Sequence, residues 1–242
     1  MNRTIARFVS AGRTETGKVR QRNEDAILVR DDLGLWAVAD GVGGHAAGDY
    51  ASALIVERLA ALKRDGDVYD FVEAIEDTLQ QVNVELRDAA LARQADVIAS
   101  TVVLLVHAGD FMLCGWVGDS RGYVYEDGGL RQLTRDHVHG ARTEVTQFGA
   151  PAQSEPGGGV LTRAIGAEDA LYLDWRVAGS RAGTQFLLCS DGINKELSDA
   201  ELELAHREDA DPQEQLARLF TQALERAARD NLSAVIVRLD VP

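Results

Sequence analysis

The order of its elements predicts an α+β fold for this chain. Three observations carry that expectation. Strand-length apolar runs and amphipathic helix pairs come in separate blocks, β, αα, βββ, ββ, αα, β, instead of alternating. The central runs are joined by short glycine-containing breaks of hairpin type. After the first buried strand two helices follow in succession, where a parallel βαβ unit would return to a strand.

Taken in order, Leu35-Trp-Ala-Val-Ala39 is a short buried strand that delivers Asp40 to a glycine-rich turn. From Ala46 to about Arg64, apolar residues recur at Tyr50, Leu54, Ile55, Leu59 and Leu62. From about Tyr69 to Arg93 they recur at Phe71, Ile75, Leu79, Val82 and Leu86. Both helices are expected to cover one face of a sheet. Thr101–His107, Phe111–Val117, Arg121–Tyr125 and Leu130–Leu133 read as strands, broken at Ala108-Gly-Asp110 and Glu126-Asp-Gly-Gly129. Periodicity fails between His139 and Gly166, apart from a short helix near Ala141–Phe148, and this stretch is expected to be a mobile flap. Leu171–Val177 and Thr184–Ser190 are strands. Ser198 with Glu201, and Asp211-Pro212 with Glu214, carry capping-box signatures for two helices, and Leu232–Leu239 is the closing strand.

With 242 residues, 45% of them hydrophobic, and only 4 prolines, the composition suits a single domain spanning 1–242. A net charge of -14 argues against nonspecific binding to nucleic acid or anionic membranes. Cys114 and Cys189 each lie in an apolar run and read as buried free thiols. The first ten residues lack the apolar core of a signal peptide. Val97–Val106 falls far short of the roughly 20 residues that span a bilayer. A cytoplasmic protein is expected, a monomer by default.

Chemistry concentrates in five polar clusters: Arg20-Gln-Arg-Asn-Glu-Asp25, Asp40-Gly-Val-Gly-Gly-His45, Gly118-Asp-Ser-Arg121, Ser190-Asp-Gly192 and Asp230-Asn-Leu-Ser233. Most of them abut a strand. Oxygen ligands without thiolates or paired imidazoles favour Mg²⁺ or Mn²⁺ over zinc. A single aspartate before a glycine is more often a turn residue than a ligand; five clusters in one order outweigh that.

In order and spacing, from about Gly17 to about Val237, these clusters resemble the metal-dependent serine/threonine phosphatases of the PP2C (PPM) family, in their compact bacterial form. The resemblance implies a four-layer α/β/β/α sandwich, a central antiparallel β-sandwich flanked by helix pairs, with the metals at one end. It also implies hydrolysis of phosphoserine and phosphothreonine in proteins by a metal-bridging hydroxide, in opposition to a cognate serine/threonine kinase. Asp40 matches the bridging ligand, and Gly41 lends its carbonyl to the second metal. Asp191 and Asp230 complete the first metal, Glu24 and Asp25 hold metal-bound waters, and Asp119 belongs to a weak third site. Arg20 matches the phosphate-binding arginine, with Arg22 two residues on as its competitor. His137 belongs to a motif that anchors the flap, and His107, His139 and His206 read as ordinary.

Two departures stand out. Lys195 occupies a position where relatives often carry an acid for the third metal; an ammonium there, paired with Asp119, is expected to weaken that site. Val42 replaces the histidine that eukaryotic relatives carry two residues after the bridging aspartate. Leaving-group protonation then falls to a metal-bound water, and His45 reads equally as a structural residue at a helix start.

Three rival readings are weaker. Gly41–Ala46 fits the dinucleotide fingerprint G-x-G-x-x-A, but Asp40 would set a negative charge beside the pyrophosphate. Gly118-Asp-Ser-Arg-Gly122 fits the G-x-S-x-G nucleophile elbow, but a strand follows where the elbow needs a helix. A catalytically dead phosphatase fold used for binding is disfavoured because the main acids are all present.

Overall fold

The structure, a computed structural model, describes residues 7–42, 47–139, 160–206 and 210–240. Its elements, in chain order, are β1 (Arg7–Glu15), β2 (Asp25–Arg30), β3 (Leu35–Val42), α1 (Gly48–Ala60), α2 (Val68–Arg93), β4 (Ala99–Ser100), β5 (Val102–His107), β6 (Phe111–Val117), β7 (Arg121–Glu126), β8 (Gly129–Gln132), β9 (Val138–His139), β10 (Val160–Leu161), β11 (Asp174–Gly179), β12 (Gln185–Cys189), α3 (Asp191–Glu196), α4 (Asp199–His206), α5 (Pro212–Glu225) and β13 (Leu232–Asp240).

Among the described residues two large antiparallel sheets form, one in the order β1-β13-β12-β7-β8 and the other β11-β6-β5-β3-β2, with β4 paired to β3, beside a two-stranded β10-β9 sheet. Strand alternation builds the layers. On β3, Trp36 and Val38 face the opposite sheet and pack with Val103, Leu105, Phe186 and Val235. Leu35, Ala37 and Ala39 face the other way, under α1 and α2, with Ile55, Leu79 and Leu86. The other sheet turns Leu187, Ala234 and Ile236 outward against Ile193, Leu202, Leu216 and Phe220 of α3, α4 and α5. Strands buried on both faces read as continuous apolar runs, which is why β3, β5 and β12 are legible in the sequence. The expected α/β/β/α sandwich is present.

Most boundaries move by one to three residues. The strand expected at Leu171–Val177 begins at Asp174, and the first helix ends at Ala60 instead of continuing to Arg64. The Ala141–Phe148 helix and most of the expected flap lie outside the described residues; its two ends are joined by β9 pairing with β10, His139 opposite Val160. Six elements have no counterpart in the sequence reading: β1, β2, α3 and the two-residue strands β4, β9 and β10. The second helix carries a full capping box at Asp67 and Asp70 that the periodicity argument passed over.

Asn83, fully buried on α2, fastens the chain that returns at 160. It donates to Glu168 O (2.9 Å) and accepts from Gly166 N–H (2.7 Å). Gly166 has φ +96, and a Cβ there would stand 2.3 Å from Ile98 O. Asn83→Ala leaves the buried Gly166 N–H and the half-buried Glu168 carbonyl unpaired and is expected to cost about 2–3 kcal/mol in urea denaturation; a loss within experimental error would contradict this anchoring.

Candidate metal centre

Pairing of β2 with β3 sets Asp25 opposite Asp40. Just beyond, Gly41 N–H donates to Glu24 O (3.0 Å). A Cβ on Gly41 would lie 2.0 Å from Gly48 O and 2.7 Å from Glu24 O, so backbone presses on backbone and only glycine fits. Thr101 holds Asp40 from the other side: its Oγ1 accepts from Asp40 N–H (3.3 Å), and its own N–H donates to Asp40 O (2.9 Å). Asp119 stands in the turn between β6 and β7, Asp191 opens α3 directly after β12, and Asp230 precedes β13. Acids from separate loops thus meet at one end of the sandwich.

Supporting residues within the quoted clusters were missed as functional. Asn231 accepts from Glu24 N–H (2.9 Å) and donates to Thr16 O and Arg22 O (both 2.9 Å), tying the loop before β2 to the approach of β13. Ser190 Oγ donates to Asp25 Oδ2 (2.7 Å) and accepts from Ser233 N–H (3.1 Å). The signal was there, small polar residues adjoining the acids, but only their contacts distinguish them from turn formers.

Burial and mutual repulsion dominate the electrostatics. Asp40 is pushed well above the ordinary carboxylate value, first by desolvation and then by Asp25, Asp191, Asp119 and Asp230. Desolvation lifts Asp25 to about 6 against the hydrogen bonds of Ser233 and Ser190, with Asp191 and Asp230 adding to the rise. Asp119 also reaches about 6, through desolvation and the charge of Asp191. Asp191 is raised by desolvation despite Lys195.

Two cations stand among these acids. Arg20 contacts Asp230 (2.9 Å) and lies 3.9 Å from Glu24. Arg22 points to Asp49 at 3.7 Å. The two arginines therefore part, and Arg20 is the one beside the acids. Lys195 corrects an expectation: its ammonium lies against Asp191, one helical turn back on α3, and 3.7 Å from Asp230, instead of pairing with Asp119. Burial works against this ammonium, but Asp191 and Asp230 more than offset it and its pKa is raised.

With these cations interleaved, no three acidic, histidine or cysteine side chains among the described residues close into a metal cage. The donor set still suits a hard divalent cation. It is all oxygen, it is short of positive charge, and Asp191 Oδ1 is buried with no hydrogen-bond partner among the described residues.

The rivals lose ground on geometry. Ser120 is buried and bonded to Thr101 Oγ1 (2.7 Å), and β7 begins at the next residue, so it is no exposed nucleophile. The strand β3 pairs antiparallel with β5, so the glycine-rich turn opens no βαβ unit. His45 lies outside the described residues. Val42 is 39% exposed and offers no proton. Among the described residues no helix is long and apolar enough to cross a membrane.

A family model described as protein phosphatase 2C matches residues 14–239. The serine/threonine phosphatase stp of Listeria monocytogenes is 31% identical over 239 residues, 95% of each chain. The serine/threonine protein phosphatase PstP of Mycobacterium tuberculosis is 34% identical over 236 residues, 93% of this chain and 44% of PstP. Among solved structures, one described as PppA, a key regulatory component of T6SS in Pseudomonas aeruginosa, is similar with TM-score 0.85 and 38% identity, over 96% of this chain and 97% of that one. The catalytic domain of PstP in complex with two manganese ions is similar with TM-score 0.82 and 28% identity, over 96% and 98%.

The raised acids set a pH dependence. Between about 4 and 6 the folded, metal-free protein keeps protons on Asp25 and Asp119 that the unfolded chain has released. Stability from these groups is therefore present at low pH and lost as pH rises through about 6. Buried His206, whose pKa is lowered first by desolvation, acts in the opposite direction. Wild type is compared with Asp25→Asn and Asp119→Asn: each variant is expected to gain more in metal-free Tm at pH 7 than at pH 5. Equal gains at both pH values would contradict the shifts.

Proposed function

The chain belongs to the protein phosphatase 2C family, and on that premise we propose that it hydrolyses phosphoserine and phosphothreonine in proteins. In this reading it acts as one phosphatase domain over 1–242, monomeric and cytoplasmic, and reverses the work of a cognate serine/threonine kinase. The observation that carries the reading is the meeting of Asp40, Asp191, Asp230, Asp25 and Asp119 at one end of the sandwich with Arg20 beside them. Nucleic acid is not a substrate of so acidic a protein.

Asp40, the Gly41 carbonyl, Asp191 and Asp230 are the residues proposed to hold two Mn²⁺ or Mg²⁺ ions. When bound, the ions supply an activated water at neutral pH and offset the charge of the phosphoryl group. Glu24 and Asp25 orient water from the outer side, the Asp25 carboxylate being held by Ser190 and Ser233. Arg20 turns from Asp230 to the incoming phosphate, where its fork grips two oxygens. With Ser120 buried, water attacks the phosphorus directly and no phosphoserine enzyme forms. The setting to examine first is the one described for PppA, regulation of T6SS, given 38% identity over nearly the whole chain.

Hydrolysis of a phosphothreonine peptide that stops with EDTA and returns with Mn²⁺ is the expected result. Asp191→Asn should lower kcat by more than about a hundredfold, beyond the roughly 10–100-fold typical of residues that only support a ligand. Near-normal turnover by the folded variant with metal in excess would overturn the ligand assignment. Arg20→Ala should raise KM about 10–100-fold, the equivalent of a charge-assisted hydrogen bond worth ~1.5–3 kcal/mol. If Arg22→Ala does this and Arg20→Ala does not, the phosphate is read by the other arginine.

A further inference from the structure

The two ends of the chain around 140–159 come back onto the turn that carries Asp119. His137 N–H donates to Gly118 O (2.9 Å), and Gly118 N–H donates back to His137 Nδ1 (3.0 Å). Thr162 N–H donates to His137 O (2.8 Å). The ring is mostly buried and lies nearly parallel to Trp116, centroids 6.2 Å apart at 18°. Gly118 has φ +111, and a Cβ there would meet the Thr101 side chain at 2.5 Å, so the turn is pressed against the residue that holds Asp40.

The tautomer can be worked out. Because Gly118 N–H needs an acceptor, Nδ1 carries no proton, and in the neutral ring the proton is on Nε2. Nε2–H then faces Asp174 Oδ2 at 3.1 Å. Arg163 Nη1 lies 3.0 Å from the same nitrogen, but two donors cannot bond each other, and Asp174 accepts from both: its Oδ1 takes Arg163 Nη1 at 3.2 Å. Arg163 is fixed in turn by Tyr172 O. Burial works against the Asp174 carboxylate, but the His137 and Arg163 bonds more than offset it and hold its pKa below the ordinary value, so it stays an acceptor.

We infer that His137, its tautomer set by Asp174, which Arg163 holds in place, is a positioning residue that fixes the Gly118–Asp119 turn through an acceptor nitrogen at Nδ1. The inference rests on the phosphatase reading only for what Asp119 then does, since the hydrogen bond exists whatever the reaction.

The test uses the full chain loaded with Mg²⁺ and follows the Gly118 amide resonance by ¹⁵N–¹H correlation, with kcat and KM on p-nitrophenyl phosphate measured in parallel. His137→Asn keeps an acceptor oxygen near the Nδ1 place and is expected to keep the resonance and most of kcat. His137→Gln moves the acceptor outward, and His137→Leu removes it. Both should shift the amide upfield and lower kcat about 10–100-fold at unchanged KM. Asp174→Ala, a half-exposed site that tolerates truncation, should shift the amide the same way and keeps the test alive if a His137 variant fails to fold. An amide unmoved in His137→Leu and Asp174→Ala, an asparagine variant as impaired as leucine, or kcat unchanged throughout would each overturn the inference. A wild type without phosphatase activity would instead sink the functional reading, while the amide shifts still decide the role of His137.

Discussion

One constraint organises the site: mutually repelling carboxylates are held together, largely out of water, at one end of a β-sandwich. Left alone they would protonate or push the loops apart. The fold opposes this with rigid backbone placement. Gly41 is locked between Glu24 and Gly48, Asp40 is held by Thr101, and Asn231, directly before β13, pins the loop before β2 to that interior strand. Because these supports grip main-chain groups, by side-chain hydrogen bonds and close backbone contacts, the acids cannot simply relax away from one another. The remaining imbalance is what a hard cation relieves.

Lys195 shows how this chain partly meets that demand from its own residues. One turn along α3 from Asp191, it reaches both Asp191 and Asp230, the acids assigned to the first metal. Its effect therefore falls on that pair, whereas Asp119 feels it only through space. Arg20 adds a second salt bridge to Asp230 and stands 3.9 Å from Glu24. Between them these cations neutralise acids that would otherwise face only each other. A bound metal must therefore displace or re-aim two side chains whose ties to the site are salt bridges, not backbone.

Much of this was legible in the sequence, for identifiable reasons. Strands buried on both faces, such as β3 and β12, announce themselves as unbroken apolar runs, and α2 by its 3.6-residue stripe. The acids were legible because five clusters kept one order. The strand β1 was not: Arg7–Glu15 mixes charged, small and hydroxyl residues, and its strand character comes from nine paired positions along β13. The strand β2, Asp25–Arg30, holds only four apolar residues, Ala26–Val29, closed at both ends by charges. The helix α3 is six residues long, too short for any periodicity, and begins on the very aspartate that reads as a turn. The position of Lys195 could not be had from spacing against relatives. Only the helical geometry of α3 shows that four residues on from Asp191 is directly above Asp191.

The central claim, that these acids form one cation-dependent set, is tested most directly by titrating Mn²⁺ into metal-free protein at pH 6 by calorimetry in two buffers of different ionisation enthalpy. The account predicts two ions bound, with net proton release, because Asp25 and Asp119 lie near half-protonation at that pH until the metals neutralise their neighbours. The same titration of Asp191→Asn and Asp230→Asn should lose at least one binding step. Undiminished binding in both variants, or binding without any proton release, would contradict it.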